Sequence, residues 1–411
     1  MPAFTPFRAL RYSPGSDLDA VIAPPYDVLS EADIAALKAR DRHNITHIDV
    51  PAGGDLAQAG PAAQADGDPY ARAARSLRDW VAEGVLQQDQ TPTYTIYRMG
   101  FTDEAGAARE LVGVLGGLEV VDLGAGGVLP HERTTPKAAS DRLELTRATA
   151  ANLSPVWGLS LASGLTAALA APGEPIGAVV VDGVSHRVER VAQPARIAQI
   201  SAILAADDVL IADGHHRYAV SRTYRDEVRA ATGRTDTAAE ATLAFVGELV
   251  GEQLSIEAIH RLYSGVCWDH LRAALAASFD LEPLAEVTAS TLRQMVAEAR
   301  LVLLNSDGSA HWLIPKPGVF DGVRALDGAY LEHALAPLAA EPAGANLKVS
   351  YQHGLGEMLA AVRHQTAGVL IRPTSLAEIR RTAREGLLMP PKSTFFTPKL
   401  RTGFVIRPTG A

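Results

Sequence analysis

The chain has 411 residues, of which 47% are hydrophobic and 21% charged, a composition typical of folded globular proteins rather than disordered chains. Two or three domains are expected at this length, because ordinary domains hold roughly 100 to 200 residues. The 38 basic and 47 acidic side chains give a net charge of −9, which disfavours nucleic acids and anionic membrane surfaces as partners.

The sequence also indicates a compartment. Its single cysteine, Cys267, excludes an internal disulfide and a multi-cysteine metal site. The first residues lack the features of a secretory signal, and no apolar run reaches the roughly 18 residues that span a bilayer. We therefore expect a cytoplasmic protein. We also expect it to act on a small molecule and to have no nucleic-acid or membrane partner. It could form a homo-oligomer.

Residues 1–120 are predicted to form an N-terminal α/β part. Two prolines stiffen the loop that carries Tyr26 and Asp27, and Ser30 predicts the N-cap of a helix. The segment 52–69 has few large apolar residues, which predicts a mobile surface insertion. The order that follows is a helix over 70–81, then strands over 93–99 and 111–121.

Residues 121–265 are predicted to form a core part. Its elements are a glycine-rich loop at 124–127, a helix bearing Asp141 and Arg142, a hairpin over 178–191, a helix over 195–205, a strand over 209–212, a helix to about 231, and strands over 243–250 and 256–260.

Residues 266–411 are predicted to form a C-terminal α/β part that ends in a proline-rich loop. Helices are expected over 290–299, 325–336, 355–363 and 375–385, and strands over 301–304, 311–314, 349–351 and 368–371. The mixed order of elements predicts an α+β fold of mixed sheets with packed helices.

The segment Asp213 to Tyr218 carries the strongest chemical signal. A buried strand leads into Gly214, and the helix that follows begins with backbone N–H groups that lack intrahelical acceptors, which favours anion binding. Arg217 adds a bidentate phosphate donor, and Asp213 could bind magnesium or a substrate hydroxyl. The alternative is a capped helix whose polar first turn faces water.

Two further clusters are candidates. In the first, Glu132 is a base or metal ligand beside the phosphate donors Arg133 and Lys137, with His131 next to it; the alternative is a solvated helix start. The second cluster is a proline-stiffened loop whose polar residues are candidates for phosphate or substrate binding, and the alternative is a C-terminal strand with exposed lysines. Its candidate residues are Lys392, Ser393 and Lys399.

These segments together resemble the bacterial and archaeal family called domain of unknown function 1015. Six blocks carry the resemblance, in order over nearly the whole chain: APPYDV at 23–28, HERT with a lysine and DRL at 131–143, AN-SP at 151–155, DGHHRY at 213–218, HR at 260–261, and MPPKSTFFTPKL at 389–400.

The DGHHR turn also resembles the G-x-x-R element of the ParB and sulfiredoxin superfamily, in particular its free-serine kinases. This resemblance implies a ParB/sulfiredoxin-like nucleotide-binding core. Its phosphate cradle would be Gly214, His215, His216 and Arg217, and Asp213 would touch the metal or the substrate.

The leading hypothesis is a magnesium-dependent phosphotransferase that moves a phosphoryl group from ATP or ADP to the hydroxyl of a small metabolite such as free L-serine. Glu132 or Asp27 would accept the hydroxyl proton. Glu132 is favoured, because His131, Arg133 and Lys137 are beside it in the sequence and would keep it ionised.

Three alternatives stay open. The first is a phosphatase for a phosphorylated amino acid such as phosphoserine, with His215 or His216 as phosphoryl acceptor or acid. The second is a non-catalytic nucleotide-binding switch that regulates partners. The third is a zinc hydrolase with the ligands His131, Asp213, His215 and His216, which is disfavoured because adjacent histidines on one turn do not converge on one ion.

Overall fold

The computed structural model of the protein describes residues 1–51, 67–103, 106–130, 139–389 and 392–410. The strands in chain order are β1 (Phe4–Thr5), β2 (Leu10–Tyr12), β3 (Leu86–Gln88), β4 (Tyr94–Thr102), β5 (Ala108–Glu119), β6 (Val128–Leu129), β7 (Ala151–Asn152), β8 (Val156–Ser160), β9 (Glu174–Val181), β10 (Val184–Val191), β11 (Val209–Asp213), β12 (Ala241–Glu248), β13 (Ser255–Glu257), β14 (His260–Ser264), β15 (Phe279–Leu284), β16 (Leu301–Asn305), β17 (Ala310–Pro315), β18 (Lys348–Gln352), β19 (Ala367–Leu370), β20 (Phe395–Thr397) and β21 (Arg407–Pro408).

The α-helices in chain order are α1 (Leu18–Val21), α2 (Glu31–Arg40), α3 (Thr46–Asp49), α4 (Pro69–Ala82), α5 (Ala139–Thr149), α6 (Leu165–Ala170), α7 (Pro194–Leu204), α8 (His215–Thr232), α9 (Trp268–Ser278), α10 (Ala289–Glu298), α11 (Asp327–Ala340), α12 (Leu355–Ala361) and α13 (Leu376–Arg384). Several sheets with packed helices confirm the predicted mixed α+β class.

The chain divides into two compact units. The first unit comprises residues 1–255, 382–387 and 398–411, and the second comprises 256–381 and 388–397. The end of the chain therefore belongs to the same unit as its beginning. The division into three parts at residues 120 and 265 is not decided by this grouping and stays a prediction.

The first unit is built on a nine-stranded sheet within the described residues. Its order is β6-β11-β8-β12-β5-β4-β10-β9, with β1 paired to β5. Strand β11 runs antiparallel to β8 and parallel to β6. One face carries the core of this unit, in which Tyr94, Val156, Ile200 and Val209 are fully buried. This packing fixes the position at which β11 ends and α8 begins.

The C-terminal segment is tied to the first unit by backbone pairing. Ala23 bridges Thr402, Leu10 bridges Ile406, and β21 pairs with β7. Two well-separated stretches of sequence are thereby held beside the strand end that carries Asp213.

The second unit has its own six-stranded sheet within the described residues, in the order β15-β17-β16-β19-β14-β18. Two clusters of buried side chains pack on it, one including Leu271 and Leu335 and the other including Met295 and Met358.

Most predicted elements are present. Ser30 caps α2 in a capping box with Asp33, and the predicted helix over 70–81 is α4. The elements that the sequence did not reveal include β8, α6, α9 and β15, and the strand predicted over 256–260 is divided between β13 and β14.

The C-terminal boundary of the insertion predicted over 52–69 is wrong, because Asp68 caps α4 and Pro69 is the first residue of that helix. Residues 52–66 lie outside the described part of the chain. Of the helices that the structure describes, none has the length and apolar character needed to cross a membrane.

Candidate functional site

The candidate site is centred on the turn between β11 and α8 in the first unit. Gly214 is the N-cap of α8 and has a left-handed backbone with φ of 84° and ψ of 28°. A Cβ atom built at Gly214 would lie 3.0 Å from Arg217 Nε. The left-handed backbone therefore favours glycine at this position, and a Cβ atom would press against the Arg217 side chain.

Asp213 is held by three donors. Its Oδ2 accepts a hydrogen bond of 3.1 Å from Lys399 Nζ and lies 3.4 Å from Arg217 Nη2, and its Oδ1 accepts a 2.8 Å bond from the N–H of Gly214. Burial by itself would raise the pKa of Asp213. The charges of Lys399 and Arg217 and the hydrogen bonds outweigh burial and lower this pKa, so Asp213 stays ionised.

Arg217 is buried, with 9% of its surface exposed. Its Nη1 donates to the carbonyl of Pro155, and its Nη2 lies 3.4 Å from Asp213 and 3.9 Å from Asp27 Oδ2. Burial lowers its pKa, but the two carboxylates more than compensate and raise it. Arg217 thus binds neighbouring segments of the protein together, and a phosphate would compete with these acceptors.

Asp27 is the exposed carboxylate of the site. It lies in the 3₁₀ turn Tyr26–Val28, and 42% of its side chain is accessible. Burial raises the pKa of the neighbouring Tyr26 to about 12. Because its side chain is partly accessible, Asp27 is open to a substrate on one side, and Arg217 lies on the other side.

A buried ion pair supports this turn. Arg142 lies beneath Tyr26 and donates to Asp49, with 3.1 Å from Nη1 to Oδ1. Asp49 is 3% exposed, and its Oδ2 accepts a 3.3 Å bond from Ser154. Burial raises the pKa of Asp49, and Arg142 opposes this shift.

A cavity of about 40 Å³ lies between these groups. Its polar lining includes Asp49, Ser154, Ser221 and Thr242. This volume holds a water molecule but not a nucleotide, so a nucleotide would have to bind on the open side of the turn.

The histidines of the motif begin α8. His215 and His216 are half-buried in its first turn. His131, Glu132, Arg133 and Lys137 lie outside the described residues. The proposed roles of these four residues stay predictions.

The proline-rich loop at the end of the chain is divided between the units. Lys399 belongs to the first unit and contacts Asp213 there. Lys392 and Ser393 belong to the second unit. There, Arg261 Nη2 donates a 3.2 Å hydrogen bond to the carbonyl of Lys392. The hydroxyl of Thr374 donates to the carbonyl of Ser393. Lys399 therefore lies in the unit that carries Asp213, and the predicted binding roles of Lys392 and Ser393 stay predictions.

Sequence reasoning missed Asp49, Arg142 and Ser154 as parts of the site. Two of them lie inside blocks that it had singled out, Arg142 in the DRL block and Ser154 in the AN-SP block. Asp49 precedes the segment 52–66 and lies in no such block, so only the fold identifies it.

The described part of the chain contains no group of three or more acidic, histidine or cysteine side chains that could hold a metal ion. Magnesium in nucleotide sites binds one or two carboxylates together with phosphate oxygens. Asp213 Oδ1 accepts a hydrogen bond from Gly214 and Oδ2 accepts one from Lys399, but each carboxylate oxygen has a second lone pair, so the role of Asp213 as a magnesium ligand stays a prediction.

Comparison with known proteins identifies the family. The family described as protein of unknown function DUF1015 matches residues 4–329, which is most of the chain. The chain belongs to the DUF1015 family. Each residue that surrounds Asp213 and Asp27 in this DUF1015 protein, Asp49 apart, lies in one of the blocks that carry the resemblance. Lys399 lies in the last of these blocks, which is beyond the range matched by the family. A search of the curated proteins finds no match.

Solved structures give distant matches to this DUF1015 protein. A free serine kinase variant in complex with ADP is 12% identical with a TM-score of 0.37, over 71% of this chain and 92% of that chain. A truncated SbnI from Staphylococcus aureus is 13% identical with a TM-score of 0.38, over 71% and 87%. A conserved hypothetical protein from Pyrococcus furiosus is 11% identical with a TM-score of 0.37, over 68% and 92%. These values are too low to support an inference about the chemistry of the site.

Proposed function

We propose that the first unit is a phosphotransferase that moves a phosphoryl group from ATP or ADP to the hydroxyl of a small metabolite, with free L-serine as the expected acceptor. One observation carries this proposal. The exposed carboxylate of Asp27 lies 3.9 Å from Arg217, beside the start of α8 and the Lys399–Asp213 pair. Phosphoryl transfer needs mainly such positioning and charge neutralisation from the protein.

The nucleotide phosphates would bind at the N-terminus of α8. Backbone N–H groups in the first turn of a helix point at an anion, and the helix dipole favours negative charge there. Lys399 supplies a cation at the same turn, since its ammonium group is 3.1 Å from Asp213 Oδ2. A ParB/sulfiredoxin-like core, which the motif implies, is part of this proposal.

Asp27 would take the proton from the acceptor. The hydroxyl oxygen attacks the terminal phosphorus, the bond from that phosphorus to the bridging oxygen breaks, and the hydroxyl proton passes to the carboxylate. Asp27 suits this step because it is accessible, whereas the cations paired with Asp213 lower its pKa and make it a weaker base. Glu132, which the sequence favoured for this role, lies outside the described residues and stays a rival.

Magnesium commonly accompanies nucleotide phosphates and would neutralise their charge. Asp213 would be the residue that holds such an ion, and the transfer of the hydroxyl proton to Asp27 does not pass through it. The cytoplasmic location and the oligomeric state also stay predictions.

The decisive experiment incubates the purified protein with ATP or ADP and L-serine and follows the phosphorus-containing products by ³¹P NMR. Formation of phosphoserine with an equal loss of the terminal nucleotide phosphate supports the proposal. A parallel incubation contains phosphoserine without nucleotide. A third contains nucleotide without acceptor.

The three incubations separate the alternatives. Release of inorganic phosphate from phosphoserine without nucleotide indicates the phosphatase. Nucleotide binding without turnover over a panel of hydroxyl acceptors indicates the regulatory switch, and either result overturns the proposal. Binding is measured by thermal shift, because a ligand of the native state adds about 2.7 kcal/mol to the free energy of unfolding at a hundredfold excess over Kd.

A further inference from the structure

Arg142 is held rigidly behind the turn that carries Asp27. It is 6% exposed, and its three nitrogens all donate to nearby acceptors. Nε donates to Asp141 Oδ2 at 2.9 Å, Nη1 to Asp49 Oδ1 at 3.1 Å, and Nη2 to the carbonyl of Asp49 at 2.7 Å. A planar guanidinium fixed at three points presents its face in one orientation.

The face of this guanidinium supports the Tyr26 ring, whose centroid lies 4.1 Å from the central carbon of Arg142. Tyr26 and Asp27 are consecutive residues of a single 3₁₀ turn, which the N–H of Val28 closes with a 3.2 Å bond to the carbonyl of Pro25. In so short a turn, a displacement of the ring also displaces the backbone that carries the carboxylate. The position of Asp27 relative to Arg217 thus depends on Arg142.

Arg142 is too deeply placed to contact a metabolite itself. The cavity that it lines together with Tyr26 has a volume of about 40 Å³. We therefore propose that Arg142 is a positioning residue, which acts through Tyr26 to hold the Asp27 carboxylate at the acceptor hydroxyl. This inference rests on the proposed phosphotransferase function.

The test uses four single variants and one double variant of the full chain. Arg142→Lys keeps a cation beside Asp49 but removes the flat face, and Tyr26→Leu removes the ring. Each should lower kcat by about 10- to 100-fold, because a small displacement of the Asp27 carboxylate slows the reaction. The KM for the nucleotide should stay within about twofold of the value in the parent. Tyr26→Phe keeps the ring and should retain activity. Arg147→Lys is the matched control, because Arg147 lies on the same helix and is exposed.

The double variant Arg142→Lys with Tyr26→Leu distinguishes action through Tyr26 from independent action. If Arg142 acts through the ring, the double variant loses no more activity than the more severe single variant. Multiplied losses, or a raised nucleotide KM with unchanged kcat in Arg142→Lys, would overturn the proposal. Should Arg142→Lys fail to fold, Tyr26→Leu carries the test alone, and an unchanged kcat in that variant overturns it.

A second measurement does not depend on activity. Hydrogen exchange of the peptide covering residues 24–29 should accelerate in Arg142→Lys and in Tyr26→Leu, and it should stay as in the parent in Tyr26→Phe and Arg147→Lys. Unchanged exchange in Arg142→Lys refutes the positioning role. The parent protein could show this exchange pattern and yet transfer no phosphoryl group. In that case the proposed function is wrong, but Arg142 still supports the turn.

Discussion

Lys399 Nζ donates a 3.1 Å hydrogen bond to Asp213 Oδ2, although 186 positions separate the two residues in the chain. The pairing of Thr402 with Ala23 and of Ile406 with Leu10 holds the segment that carries Lys399 in place. The C-terminal segment is therefore part of the candidate site, and its contribution can be tested directly.

Replacement of Lys399 by methionine should weaken nucleotide binding. The change removes the cation beside the start of α8, and a hydrogen bond to a charged group contributes about 1.5–3 kcal/mol, which corresponds to roughly a 10- to 100-fold higher Kd. Titration calorimetry with ATP and ADP measures this change. Lys348→Met is the control, because Lys348 is an exposed lysine of the second unit. Equal affinity of Lys399→Met and the parent contradicts the assignment.

Replacement of Arg217 by alanine should destabilise the first unit and also remove most of the nucleotide-induced thermal shift. Arg217 is buried and pairs with Asp213, and breaking a buried pair on one side costs about 3–5 kcal/mol. Urea unfolding measures the free energy of unfolding. Arg234→Ala is the control, since its pair with Asp236 is exposed and should contribute at most about 1 kcal/mol. A variant that is as stable and as responsive to nucleotide as the parent shows that Arg217 has neither role.

The general base can be identified by comparing Asp27→Asn with Glu132→Gln at saturating nucleotide. Each isostere keeps the shape of the side chain and removes the proton acceptor. Loss of the base lowers kcat by about 10²- to 10⁴-fold. We expect this loss in Asp27→Asn, with nucleotide binding retained, because Asp27 is exposed at the site.

If kcat falls to this extent only in Glu132→Gln, Glu132 is the general base, as the sequence favoured. Full activity in both variants excludes a carboxylate base from either position and directs attention to His215 and His216.

The stability of both units should fall as the pH drops from 6.5 to 4. Burial, with a smaller effect of a nearby arginine, lowers the pKa of His186 in the first unit and of His260 in the second from 6.5 to about 4. Between these values the unfolded chain binds a proton that the folded chain does not. The contribution of each histidine to the free energy of unfolding is therefore complete above pH 6.5. Between pH 6.5 and 4 it falls by about 1.4 kcal/mol per pH unit for each histidine.

Hydrogen exchange in β10 and β14 at several pH values reports on each histidine separately. His186→Gln should flatten the pH dependence of the opening free energy in β10, and His260→Gln should do so in β14. His270→Gln replaces an exposed histidine and should change neither slope. Slopes that persist in both buried-site variants assign the pH dependence to other groups.

The segment 52–66 should be dispensable when it is replaced by a short Gly/Ser bridge between Pro51 and Gly67. Its composition offers few large apolar side chains, and a change of loop length costs little entropy. The bridge must leave Asp49 and the helix cap Asp68 intact. The melting temperature and the nucleotide response should stay as in the parent. A fall in either shows that the segment contributes to the fold or the site.

The sequence by itself determined the local structure of the motif. An apolar strand followed by Asp213 and Gly214 predicted a tight turn into a helix, because only glycine adopts the left-handed backbone there without strain. Ser30 with Asp33, and the apolar spacing of α4, likewise predicted helix boundaries through interactions between near neighbours. The family was also apparent from the blocks in sequence order.

Only the tertiary structure decided which distant residues share the site. The burial of Asp49 against Arg142 and the pairing of Lys399 with Asp213 depend on how the sheet and the C-terminal segment pack, which no local pattern specifies. Arg217 illustrates the difference most clearly. In the sequence it is a phosphate donor beside two histidines, whereas in the fold its guanidinium faces Pro155, Asp213 and Asp27, because a buried charge requires partners within the protein.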